Sequence, residues 1–71
     1  MTVAIICDTK REFDRTVSAL PPDDRYIWVY RPRDACGYTF DDFYIAGSAY
    51  WDGVIECERA VVSSMRKQAQ P

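Results

Sequence analysis

The sequence contains no histidine and only three glycines and three cysteines, and neither sign of charge dominates: nine Lys and Arg stand against eleven Asp and Glu, a net charge of −2. Each shortage excludes something. Without imidazole there is no histidine-based acid–base catalysis, no His-ligated zinc and no imidazole switch near neutral pH. Neither Gly-x-Gly-x-x-Gly nor a Gly-Lys-Thr/Ser loop occurs, so the chain lacks the glycines that let backbone wrap a pyrophosphate. Cys7, Cys36 and Cys57 are odd in number and unpaired in spacing, which makes no disulfide framework and points to a reducing compartment. The near balance of charge leaves no field strong enough to hold nucleic acid or an acidic membrane by charge alone. The apolar run Val3–Cys7 is too short to span a bilayer and has no basic segment before it, so no signal peptide or membrane span is expected. The cytoplasm is the expected location.

What is present is a chain of 71 residues that is 48% hydrophobic and 14% aromatic, which describes one small ordered domain. Folding at this length buries only about 60–65% of the surface of the unfolded chain, so stability is expected to be modest or reinforced by a partner subunit. Residues 2–7 read as a strand without polar alternation, the pattern of burial on both faces. Thr9 and Glu12 form a capping-box pair that starts a helix, in which Phe13, Val17 and Leu20 make one narrow apolar stripe. Pro21-Pro22 ends it. Arg25–Tyr30 reads as a second strand, with Ile27 and Val29 on one face and Tyr26, Trp28 and Tyr30 on the other. A mostly polar connection leads to a third strand at Asp42–Ala46. The last segment places Trp51, Val54, Ile55, Val61, Val62 and Met65 along one broad helical stripe, with Tyr50 and Cys57 at its margin. Residues 68–71 are expected to fray.

The order β-α-β-loop-β-α implies a right-handed parallel crossover between the first two strands. Returning the third strand to the free edge of the first gives the order 2-1-3, a small α/β domain with helices on both faces and a truncated Rossmann- or flavodoxin-like topology. The competing topology pairs the second and third strands antiparallel through a long loop.

The run from Met1 to Trp51, opening MTVAIICDTKREFDRTV and continuing YRPRDACGYTFDDFYIAGSAYW, resembles small Rossmann-like proteins encoded by phages of actinobacteria. These also look like the first half of a helicase or terminase ATPase core without its motifs. Members of that group mostly lack assigned activities. The resemblance therefore implies a source, the cytoplasm of a phage-infected cell, more than a function.

Ligands of open parallel sheets sit beyond the carboxyl ends of the strands. Here that edge would carry Thr9, Lys10, Arg11, Arg31, Arg33 and Ser48, a candidate anion site at a helix N-terminus. Asp8 would oppose an anion there. Asp41-Asp42 and Asp23-Asp24 read as turns with solvated carboxylates, since a metal-binding acid in such folds follows a strand. No cofactor, metal site or catalytic set is expected. The unusual feature is the surplus of aromatic rings. Trp28, Tyr30, Tyr38, Phe40, Tyr44, Tyr50 and Trp51 form the candidate interface set, since tyrosine and tryptophan beside arginine are favoured where proteins meet. Two function classes follow: a protein-binding or self-associating module, and a small-ligand or vestigial phosphate-binding domain.

Overall fold

The computed structural model describes residues 1–46 and 53–65. Three strands, β1 (Thr2–Ile6), β2 (Arg25–Val29) and β3 (Asp42–Ile45), and two helices, α1 (Lys10–Ser18) and α2 (Val54–Ser63), follow one another as β1-α1-β2-β3-α2, with a 3₁₀ helix at Pro32–Ala35 between β2 and β3. The sheet has the order β2-β1-β3 and both pairings are parallel. The antiparallel alternative is therefore excluded. In register, Ala4 lies between Ile27 and Phe43, and Ile5 between Trp28 and Tyr44.

The central position of β1 explains its composition. Val3 to Cys7 are all buried, because helices cover both faces and neighbouring strands take both edges. Val3, Ile5 and Cys7 pack under α1 with the half-buried Phe13, Val17, Leu20, Tyr26 and Trp28. Ala4 and Ile6 face α2 and join Val29, Ala35, Phe40, Val54, Cys57 and Val61.

Local chemistry sets the element ends. The Thr9 hydroxyl accepts the Glu12 amide at 3.2 Å and caps α1 as the sequence implies. Ala19 and Leu20 donate to the carbonyls of Thr16 and Val17, tightening the last turn before the two prolines. β2 ends at Val29, one residue earlier than the sequence suggests, because the Asp34 carboxylate takes the amides of Tyr30 and Arg31 at 3.0 and 2.8 Å. Gly37 has φ of +85°, a conformation that suits glycine, and it turns the chain from the 3₁₀ helix toward Tyr38.

Three expectations are corrected. Phe40, expected at an interface, has no exposed surface. Its amide donates to the Ser64 carbonyl at 2.9 Å and its backbone bridges to Met65, which draws the end of the connection beneath the end of α2. The buried face of α2 is Val54, Cys57 and Val61, whereas Ile55 and Val62 are 62% and 52% exposed. Cys57 thus sits centrally in the core stripe, because spacings of three and four residues select 54, 57 and 61 as one face. The aspartates expected to be merely solvated hold backbone. Asp41 accepts the Thr2 amide at 2.9 Å, Asp42 the Phe43 amide at 2.8 Å, and Asp24 the Met1 ammonium at 3.1 Å.

Candidate functional site

The carboxyl end of the sheet brings Thr9, Lys10 and Arg11 at the start of α1 to the same edge as Tyr30 and Arg31 after β2. Among the described residues the cations at this edge are engaged separately or exposed, and the cleft that the structure describes is not lined by them. Lys10 is exposed and pairs with Asp14 one helical turn on, at 3.6 Å. The Arg31 guanidinium lies 5.6 Å from the centre of the Tyr30 ring. Arg11 and Arg33 are exposed, the latter on the 3₁₀ helix. The Thr9 hydroxyl is engaged as the cap of α1. Ser48 lies outside the described residues.

Below that edge the groups that line the strand ends are used internally. The Trp28 indole Nε1–H donates to the Cys7 carbonyl at 3.0 Å, and the Cys57 thiol donates to the Tyr30 carbonyl at 3.2 Å. Burial pushes the Cys7 thiol, which donates to the Thr9 carbonyl at 3.4 Å, up to about 11, and burial raises Cys57 as well. Both are therefore neutral thiols at physiological pH, not nucleophilic thiolates. Among the described residues no group of His, Cys, Asp and Glu is placed to hold a metal ion, and no helix is long and apolar enough to cross a membrane.

The aromatic candidates divide. Phe13, Trp28 and Tyr30 form a ladder across the α1 face, with ring centres 6.1 and 6.2 Å apart. Its inner members are half-buried and Tyr30 is exposed at its end. Tyr38 is half-buried against Phe40 and carries Arg25 over its ring. Tyr44 is exposed on β3, on the face that α1 shields at β1 and β2. Tyr50 and Trp51 lie outside the described residues.

An apolar surface that the aromatic pattern does not mark lies on the other side of the molecule. Ile45 at the end of β3, Val54 and Ile55 at the start of α2, and Glu58 one turn on line a cleft of about 120 Å³. That is well below the roughly 300–1,000 Å³ of cofactor and small-molecule sites. Ile55 and Val62 are seven residues apart, close to two full turns, so they lie on one line along the outer face of α2. Ile45, Ile55 and Val62 thus form a stripe of exposed aliphatic side chains, at 43%, 62% and 52% exposure. Two charges border it: Glu58 on the side of the cleft and Arg59 on the opposite side. The signal in the sequence was the surplus of aliphatic residues in α2, which span more of the helix circumference than one buried face can take.

Comparison with protein-family models, with curated proteins and with solved structures finds no match.

Proposed function

We propose that this protein is a non-enzymatic interaction module that works by docking onto a polypeptide, either another protein or a second copy of itself. The observation that carries the reading is the aliphatic stripe of Ile45, Ile55 and Val62 on the outside of an acidic domain of this size. Large aliphatic side chains aligned on one helix face and beside a strand end are costly to leave in water. Fully burying such a side chain is worth about 1.5–3 kcal/mol, and covering the exposed part of each of these about half of that. Tyr44 and Tyr30, each partly exposed, extend the apolar surface around the sheet. The resemblance to small phage proteins makes this an accessory protein of a phage, acting in the host cytoplasm on a host or phage partner.

The alternative, an anion or nucleotide site at the carboxyl edge, has less support. Lys10 is paired, Arg31 is laid on Tyr30, and the described cleft lies elsewhere. The test is affinity capture from extracts of the host, using the wild-type chain and an Ile55→Glu/Val62→Glu chain as baits, alongside sedimentation of both. Binding to a protein or to itself that the double substitution removes is the expected result. A wild-type chain that neither self-associates nor captures anything the variant does not would overturn the reading.

A further inference from the structure

We infer that the occupant of the aliphatic stripe is a second copy of this chain, docked with its α2 parallel to the first about a two-fold axis along the helices. The inference rests on the docking reading above and specifies its partner. Charge placement supports it. Glu58 and Arg59 flank the stripe on opposite sides, and among the described residues neither side chain has an ion-pair partner. Successive helical residues are about 100° apart, so with Ile55 facing outward Arg59 lies about 40° to one side and Glu58 about 60° to the other.

That asymmetry decides the orientation. A two-fold axis along parallel helices turns the left flank of one copy onto the right flank of the other, so each Glu58 meets Arg59 of the second copy, twice by symmetry. Antiparallel packing instead places Glu58 against Glu58 and Arg59 against Arg59. Parallel packing also sets Ile55 against Ile55 and Val62 against Val62. It carries the aliphatic stem of each Arg59 over the cleft lined by Ile45, Val54, Ile55 and Glu58 of the other copy. The cleft is of a size for one side chain and is apolar except for Glu58, the group an arginine head would seek.

Strand-edge pairing is the weaker route to a dimer. The Phe43 amide on β3 is already taken by the Asp42 carboxylate at 2.8 Å, which removes a donor from the outermost strand.

The test is sedimentation equilibrium of the full chain and four variants, each checked for fold by circular dichroism. The wild type is expected to dimerise, and Ile55→Glu/Val62→Glu to be monomeric with an unchanged spectrum. Glu58→Arg alone and Arg59→Glu alone should each weaken the dimer about tenfold or more, and the double exchange should restore it. In a Cys36→Ser background, which removes the exposed thiol, Ile55→Cys should link to itself through a short bis-maleimide. A monomeric wild type, or a dimer indifferent to the stripe, overturns the inference. So does failure of the double exchange to rescue, or a cross-link that forms only between Ile55→Cys and Val62→Cys chains. A monomeric wild type that captures a different protein through the same stripe refutes the second copy and leaves the docking reading standing.

Discussion

The two faces of the sheet are built differently. On the α2 side, Ala4, Ile6, Val29, Ala35, Phe40, Val54, Cys57 and Val61 are all buried and draw on β1, β2, the 3₁₀ helix, the connection after it and α2. On the α1 side only Val3, Ile5 and Cys7 are buried, all from β1 or the residue after it, and α1 itself contributes no buried residue. A narrow stripe of Phe13, Val17 and Leu20 lies on aromatic rings that remain half in water. One side is a close-packed core and the other an amphipathic cover. In a chain this short there is apolar volume for one thorough core, and the remaining face is closed by large rings that cover area without full burial. The helix that completes the core is also the one that exposes Ile55 and Val62.

The sharpest break of this comparison is Phe40→Ala. It empties the largest fully buried side chain, and chemical denaturation should show a loss of about 3–5 kcal/mol. Phe13→Ala, on the amphipathic side, should cost about 1–2 kcal/mol. Equal losses at the two positions would mean that the faces are energetically alike.

Alkaline pH acts on both sides at once. The Cys7 thiol titrates at about 11 in the folded protein against 9.0 unfolded, so the unfolded chain gives up its proton first. The stability tied to that neutral thiol is complete below pH 9 and is lost as pH rises toward 11. Cys57 shifts in the same direction on the α2 side. Melting temperature should fall between pH 9 and 11, and Cys7→Ala should flatten part of that slope. A slope unchanged in both Cys7→Ala and Cys57→Ala would show that neither thiol is linked to folding.

Gly37→Ala separates backbone from packing on the α2 side. An added Cβ meets nothing within 4 Å, so the cost is that of a positive φ alone, about 1–2 kcal/mol. A much larger loss would indicate that the 3₁₀ segment is more tightly packed than its open surroundings suggest. Thr9→Ala gives the smallest effect, about 1 kcal/mol from the lost cap of α1. Thr9→Asp, which keeps an acceptor, should recover most of it, and equal losses in the two would remove the cap as the cause.

Much of this architecture was legible in local chemistry. The unalternating run Val3–Cys7 identified a strand covered on both faces, in keeping with the central place that the order 2-1-3 gives β1, and the parallel pairing of β3 was decided by the structure. The Thr9 cap, the Pro21-Pro22 stop and the alternation of Ile27 and Val29 with Tyr26 and Trp28 located the crossover. The candidate surface was less legible. Aromatic content pointed to Phe40, which is core, and away from Ile45, Ile55 and Val62, which are exposed. The connection before β3 looked polar and yet supplies Ala35 and Phe40 to the core, because Gly37 and the bridge to Met65 redirect it.

Residue type alone settled the absence of imidazole and of phosphate loops, and periodicity settled the order and identity of strands and helices, since both depend on side-chain chemistry and near neighbours. Which face of α2 turns inward depended on where the sheet and the 3₁₀ segment lay. Two aliphatic lines compete on that helix, and only the packing of Val54, Cys57 and Val61 against Ala4, Ile6 and Phe40 left Ile55 and Val62 in solvent. The same packing set Glu58 and Arg59 on opposite sides of the exposed line, an arrangement fixed by helix geometry once the buried face is chosen.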